Sequence, residues 1–133
     1  MPNDSLVTIM SDADIVTARQ KGRALAKELG FEGGDITLVA AAISEVARNI
    51  VEYAKSGEIV FQSVTNGSKR GLCVTARDQG PGIPNINQAM QYGYSTRRGL
   101  GVGLPGAKLL MDEFEIVSEV GVGTTITMKK WLE

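Results

Sequence analysis

The most informative part of the chain is residues 78–106, which read DQGPGIPNINQAMQYGYSTRRGLGVGLPG. Seven of the 16 glycines in the 133-residue chain lie in this stretch, whereas an even distribution would place about three or four there. Glycine lets the backbone turn sharply and approach a ligand closely, and long irregular connections inside compact domains are usually functional or mobile. We therefore expect this stretch to contribute to a binding site.

Residues 6–50 predict one strand and two helices. The β-branched run Leu6–Met10 indicates the strand, and the helix after it is expected to end at a glycine cap, Gly30. The pair Gly33-Gly34 then interrupts the chain, and we expect Asp35 to cap a second helix. Apolar residues at helical spacing form one stripe on that helix between Ile36 and Ile50.

Two hairpins and a short helix complete the predicted order. Glu58–Thr65 and Arg70–Asp78 are strand-like runs joined by an Asn-Gly turn, and Phe114–Glu119 and Thr124–Trp131 form the second hairpin. Between the hairpins, the apolar spacing after Gly103 predicts a helix. Because the helices are clustered rather than alternating with strands, we expect an α+β fold. It would be a two-layer α/β sandwich with helices on one face of a mostly antiparallel sheet.

The composition excludes several classes of function. A formal net charge of −1 gives no basic surface for a nucleic-acid partner, and the chain has no histidine for a Ser-His-Asp triad or a histidine metal site. The longest apolar run, Leu38–Ile43, is too short to cross a membrane. The single cysteine, Cys73, fits a reducing compartment. We expect one cytoplasmic domain over residues 1–133, with neither nucleic-acid nor membrane partners.

The glycines at 101–106 match two nucleotide-binding motifs only in part. Their spacing agrees with the G-x-G-x-x-G of dinucleotide-binding proteins, but that motif requires a preceding buried strand, and residues 92–98 do not form a strand pattern. The Walker A motif is incomplete, because Ala107-Lys108 stands where Gly-Lys-Ser/Thr is required. The sequence therefore disfavours both a dinucleotide-binding motif and a Walker A motif at these glycines.

Polar residues and glycines at four places along the chain form a different pattern. Glu45 and Asn49 lie four residues apart, so both point to one side of the second helix, away from its apolar stripe. The remaining positions are Asp78 with Gly80 and Gly82, then Gly99, Gly101 and Gly103, and finally Thr124. In this order the four groups resemble the nucleotide-binding motifs of the GHKL ATPases, which share the Bergerat fold.

The resemblance covers nearly the whole chain and points to one branch of that group. The small size, without an attached phosphoacceptor domain, is typical of the anti-sigma-type serine/threonine kinases. Residues 43–50, 99–106, 111–114 and 130–132 look most like the switch kinases of the bacterial stressosome. The resemblance implies ATP and Mg²⁺ as cofactors.

For the adenine end of the site, the resemblance assigns three residues. Asp78 would accept a hydrogen bond from the adenine amine, Gly82 would admit the ring, and Thr124 would help to hold a water between Asp78 and the base. Without the resemblance, Asp78 is a turn residue that satisfies loop amides. Thr124 is then an ordinary strand threonine.

For the reaction centre, the resemblance assigns the two helix residues. Asn49 would offer a neutral oxygen to a Mg²⁺ ion that keeps waters and bridges phosphates. Glu45, one turn earlier, would take the proton from the attacking hydroxyl, since a carboxylate is a suitable base in a chain without histidine. The alternative is that both residues lie on a solvated face of the helix.

The remaining assignments concern the phosphates and the segment that covers them. Gly99, Gly101 and Gly103 would place backbone N–H groups and a helix N-terminus around the phosphates. Residues 84–98 correspond to the ATP lid of the family. Arg97 within it either reaches the γ-phosphate and stabilises the transferring charge, or remains a solvated lid residue.

The sequence thus favours an ATP-dependent protein serine/threonine kinase that acts by partner switching. By resemblance its substrate is a STAS-domain antagonist or scaffold protein, and the released kinase activates a downstream effector such as a phosphatase. One alternative is an anti-sigma factor kinase that binds a sigma factor directly. The other is a nucleotide-binding adaptor without catalytic activity.

Overall fold

A computed structural model describes residues 5–90 and 103–132 of the chain, and its strands form one antiparallel sheet. The strands are β1 Ser5–Ile9, β2 Gly57–Asn66, β3 Lys69–Asp78, β4 Glu113–Glu119 and β5 Gly123–Trp131. Their order across the sheet is β1-β2-β3-β5-β4, and every neighbouring pair is antiparallel. The predicted hairpins are confirmed.

The helices lie on one face of this sheet. They are α1 Asp12–Leu29, α2 Gly33–Asn49, α3 Ile86–Ala89 and α4 Gly103–Leu110, with a π-helical turn at Ile50–Ala54. The core between the two layers contains fully buried side chains from α2, such as Ile43 and Val46, and from the sheet, such as Ile59, Phe61 and Val74. The prediction of a two-layer α/β sandwich is confirmed.

The ends of α1 agree with the sequence pattern. Before its first turn, the Asp14 carboxylate accepts hydrogen bonds from the backbone N–H groups of Met10 at 2.8 Å and Ser11 at 3.2 Å. After its last turn, Gly30 adopts a left-handed conformation with φ of 108°. This glycine cap lets the chain reverse and begin α2 three residues later.

The prediction that Asp35 caps α2 is wrong. The helix begins two residues earlier, at Gly33, and Glu32 occupies the capping position. The N–H of Asp35 already donates to the carbonyl of Glu32 at 3.1 Å, so Asp35 lies inside the first turn. Its carboxylate there complements the positive end of the helix dipole.

At the end of the predicted apolar stripe, α2 continues at Ile50 in a different helical form. The backbone widens into a π-helical turn, which closes with a 2.8 Å hydrogen bond from the Lys55 N–H to the Ile50 carbonyl. Such turns occur often at functional sites. This one follows Asn49 directly and carries Tyr53.

No helix in the described parts of the chain is long and apolar enough to cross a membrane.

Candidate functional site

Glu45 lies where α2 packs against α4. Its carboxylate oxygen Oε1 accepts a hydrogen bond of 3.1 Å from the N–H of Gly103, the first residue of α4. The other oxygen, Oε2, lies 3.0 Å from Nη1 of Arg48, and the Glu45 side chain is only 12% exposed. The alternative of a solvated helix glutamate does not fit this geometry.

This contact brings two predicted site residues together. The first N–H groups of a helix have no partner within the helix, and they form a natural anion-binding site. In this structure the anion at that position is the carboxylate of Glu45, bonded to Gly103. A phosphate that binds the Gly103 N–H therefore either lies next to the Glu45 carboxylate or replaces that carboxylate as the acceptor of this N–H.

Beside this contact, a cavity of about 90 Å³ opens between the end of α2 and the loop after β3. Among the residues that line it are Asn49, Tyr53, Gly82, Ile83, Ala89 and Leu104. Most of this lining is apolar, with the Asn49 amide as a polar group. Binding sites for small molecules commonly combine an apolar wall with a few polar groups. The lining of the cavity therefore has the composition expected of a small-molecule site.

Tyr53 is a lining residue that the sequence reasoning missed. Tyr53 lies four residues after Asn49, a spacing that places two side chains on one side of a helical segment, and both residues line the cavity. The spacing of four from Asn49 is the signal by which the sequence could have indicated Tyr53.

Asp78 joins three segments at the end of β3. Its oxygen Oδ1 accepts hydrogen bonds from the N–H of Gly80 at 2.9 Å and from the N–H of Thr124 at 3.3 Å. Thr124 is paired directly with Asp78 in the β3–β5 register, so the two side chains lie on the same face of the sheet. The bond to Gly80 is the loop-amide contact expected of a turn aspartate. Both bonds use Oδ1, and Oδ2 takes no part in them.

Gly80 and Gly82 allow this loop to pack closely. A Cβ atom at Gly80 would lie 2.6 Å from the Cβ of Ala54. At Gly82, where φ is 80°, it would lie 2.4 Å from the carbonyl oxygen of Glu119. Gly82 lines the cavity, and the position that its Cβ atom would occupy is filled by backbone of Glu119 and Val120. That Gly82 admits the adenine ring stays a prediction.

Ser118 is a second residue that the sequence reasoning missed. Its Oγ lies 2.7 Å from the Thr124 hydroxyl, accepts from the Ile83 N–H at 2.7 Å, and donates to the Gly123 carbonyl at 3.2 Å. The sequence does contain a signal for it. Inward positions of β4 hold Phe114 and Ile116, and Ser118 is a polar residue at the next inward position.

The structure brings together Glu45 with Gly103, and Asp78 with Gly80 and Thr124, while Asn49 and Gly82 share the cavity wall. Three of the predicted site residues, Arg97, Gly99 and Gly101, lie outside the described residues. Their roles remain predictions.

The described residues fit a Mg²⁺ ion that binds through few protein oxygens and is held mainly by phosphates and waters. Within residues 5–90 and 103–132 there is no cluster of three or more His, Cys, Asp or Glu side chains that could hold a metal ion. Asn49 offers one amide oxygen on the cavity wall. This matches the habit of Mg²⁺ to keep its waters and to bind through a few protein oxygens together with phosphates.

The comparison with protein families defines the class. The profile of the histidine kinase-like ATPase domain matches residues 10–130. The chain therefore belongs to the family of histidine kinase-like ATPase domains, and the predicted GHKL membership is confirmed.

Individual relatives place it within that class. The chain is 53% identical over 132 residues to the serine/threonine-protein kinase RsbT of Bacillus subtilis, with 99% of each chain covered. It is 34% identical to the anti-sigma F factor of Clostridium acetobutylicum, over 85% of this chain and 82% of that one. The predicted resemblance to anti-sigma-type serine/threonine kinases is confirmed.

A solved structure agrees on the fold. The chain superimposes on the structure of the RsbU and RsbW domains of a Mycobacterium tuberculosis protein with a TM-score of 0.64 and 23% sequence identity. The match covers all of this chain and 33% of that one. At this identity the likeness supports the two-layer architecture alone.

Proposed function

We propose that this protein is an ATP-dependent protein serine/threonine kinase that acts by partner switching. The observation that carries the proposal is the position of Glu45, whose carboxylate lies 3.1 Å from the first N–H of α4, beside the cavity that Asn49 lines. A potential general base thus lies at a helix N-terminus suited to phosphates. The 53% identity to a serine/threonine-protein kinase supports the same activity.

In the proposed reaction, Glu45 accepts the proton of a serine or threonine hydroxyl on the partner protein. The hydroxyl oxygen forms a bond to the γ-phosphorus of ATP, and the bond from that phosphorus to the β–γ bridging oxygen breaks, so that its electron pair leaves with ADP. The Gly103 N–H and the α4 N-terminus stabilise phosphate charge. Mg²⁺, when bound near Asn49, supplies neutralisation of the phosphates.

At the base end of the site, we propose that Asp78 selects adenine. Its carboxylate lies beside Thr124 at the inner end of the β3–β5 pair, and one oxygen is already used by loop and strand N–H groups. The second oxygen is then suited to accept a hydrogen bond from the adenine amine. Thr124 would help to hold a water between the two.

The proposed substrate is a STAS-domain antagonist or scaffold protein in the cytoplasm. Its accepting hydroxyl has to reach Glu45, so the phosphorylated residue lies inside the kinase–substrate interface. A phosphate there adds about −1.5 to −2 charges at pH 7 next to ADP and a carboxylate. The complex weakens as a result, and the kinase becomes free to bind a downstream effector such as a phosphatase.

A transfer assay tests the proposal. The full chain is incubated with γ-labelled ATP, Mg²⁺ and a purified STAS-domain protein, and label on serine or threonine of the partner is the expected result. Affinities for the unmodified and phosphorylated partner, measured with ADP present in both titrations, should differ by about 100-fold. Equal affinities would contradict the switching step even if transfer occurs.

Two other functions give different outcomes in the same experiments. The 34% identity to an anti-sigma F factor favours an anti-sigma factor kinase as the second candidate, and direct capture of a purified sigma factor would identify it. A nucleotide-binding adaptor would bind ATP and a partner without transferring label.

A further inference from the structure

Ser118 makes three hydrogen-bond contacts with two segments, the loop after β3 and the start of β5. Its Oγ is 2.7 Å from the N–H of Ile83 in the loop after β3, 3.2 Å from the carbonyl of Gly123, and 2.7 Å from the hydroxyl of Thr124. It lies on the inward side of β4, next to the strand that holds Thr124.

The three contacts determine which group is the donor and which is the acceptor in each hydrogen bond. A serine hydroxyl has one proton to donate and two lone pairs to accept. The Ile83 N–H can only donate and the Gly123 carbonyl can only accept, so the Ser118 proton is used toward Gly123. The contact with Thr124 is then a hydrogen bond only if the Thr124 hydroxyl is the donor. No other assignment satisfies all three contacts.

This assignment determines what Thr124 offers to a ligand. Its proton points to Ser118, so its oxygen presents lone pairs. Asp78 lies directly opposite in the β3–β5 register, and an ionised carboxylate is also an acceptor only. The two side chains together form a surface of hydrogen-bond acceptors.

An acceptor surface distinguishes the two purine bases. Adenine carries an amine, which donates, at the position where guanine carries a carbonyl oxygen, which accepts. A site made of acceptors forms a hydrogen bond with the adenine amine, whereas the guanine carbonyl oxygen would face lone pairs and remain without a donor. Leaving a buried polar group unpaired is the strongest form of discrimination between similar ligands.

We infer that Ser118 is a positioning residue that makes the site selective for adenine over guanine, by holding the proton of Thr124 away from the base. The inference rests on the proposed ATP-binding function and adds the origin of its base specificity. Ser118 acts through the Thr124 hydroxyl and does not itself touch the nucleotide.

The test compares ATP and GTP affinities, measured by calorimetry with Mg²⁺ present. We expect the unmodified chain to prefer ATP, and Ser118→Ala to reduce that preference by about three- to tenfold, since the Thr124 proton becomes free to turn toward a carbonyl. Ser118→Thr keeps the hydroxyl and should keep the preference. Ser63→Ala, a change on the exposed part of β2, serves as the matched control.

A double substitution tests whether Ser118 affects the ATP-to-GTP affinity ratio only through the Thr124 hydroxyl. Thr124→Val removes the hydroxyl on which Ser118 acts. Adding Ser118→Ala to Thr124→Val should therefore leave the ATP-to-GTP ratio unchanged. A further change in that ratio would overturn the inference, because Ser118 would then act by another route.

The remaining outcomes are equally clear. Equal weakening of ATP and GTP by Ser118→Ala, or no change in either, would overturn the inference. Equal affinities of the unmodified chain for both nucleotides would do the same. Failure of that chain to bind ATP overturns the proposed function as well. If Ser118→Ala does not fold, Ser118→Cys replaces it, since a thiol is a weak acceptor and should narrow the preference similarly.

Discussion

The layer between helices and sheet and the polar end of the sheet are held together in different ways. In the layer the contacts are apolar, and side chains such as Val46 on α2 and Phe61 on β2 are completely buried. At the polar end the contacts are hydrogen bonds, and some of them join groups far apart in the chain. Asp78 and Thr124 are 46 residues apart in sequence.

The difference separates stability from function. Apolar burial has no direction and scales with the area removed from water, so the layer can stabilise the fold without specifying a ligand. Hydrogen bonds require particular atoms at particular angles. We therefore expect substitutions in the layer to lower the free energy of unfolding, and substitutions at the polar end to change binding or rate.

The largest expected effect on stability is that of Phe61→Ala. Phe61 is fully buried at the centre of the layer, and removing such a ring lowers the free energy of unfolding by about 3–5 kcal/mol. Urea denaturation followed by circular dichroism measures the change, with Phe61→Leu as a milder comparison. If the folded variant also binds ATP much more weakly, the two regions are not independent.

The largest expected effect on rate is that of Glu45→Gln. The amide can still accept from the Gly103 N–H but cannot take a proton, so ATP binding should persist while phosphate transfer slows by about 10²- to 10⁴-fold. Single-turnover transfer to a STAS-domain protein measures this. Glu28→Gln, on the exposed side of α1, is the control, and a wild-type rate for Glu45→Gln would remove Glu45 from the mechanism.

The helices and strands of the apolar layer could be predicted from the sequence, whereas details near the site could not. The apolar stripe of α2 and both hairpins depend on local spacing and local turn residues, and the structure confirms them. The π-helical turn at Ile50–Ala54 was not predictable, because a change of helix type has no local pattern. The error at Asp35 arose since Glu32, although a weaker capping residue, lies where the chain turns into α2.

At the site, residue types were predictable but their partners were not. The spacing of Glu45 and Asn49 indicated a shared helix face, which the structure shows. No pattern indicated that Glu45 would bond to Gly103, because that contact depends on how α4 packs against α2. Ser118 is a polar residue at an inward strand position, which is a sequence signal for a functional residue. Its partner Thr124 is identified only by the register of β4 with β5.

A smaller effect is expected at the base end of the site. Asp78→Asn replaces a carboxylate by an amide that places a donor near the adenine amine, and loss of a charge-assisted hydrogen bond amounts to about 1.5–3 kcal/mol. ATP affinity should fall about tenfold or more. Calorimetry decides this, with Asp35→Asn in the first turn of α2 as the control. An unchanged ATP affinity would contradict the adenine assignment of Asp78.

The smallest effect is expected from a polar contact that belongs to neither region. Glu58 and Arg77 face each other across β2 and β3 and form an ion pair, with side chains 37% and 50% exposed. Exposed pairs of this kind contribute about 0.2–1 kcal/mol, because water and salt screen them. A double-mutant cycle with Glu58→Gln and Arg77→Gln, followed by urea denaturation, measures the coupling. We expect it to shrink in 1 M salt, about where the screening length falls to roughly 3 Å. A salt-independent coupling of several kcal/mol would instead show that long-range polar contacts stabilise this fold even outside the site, and the separation of stability from function would fail.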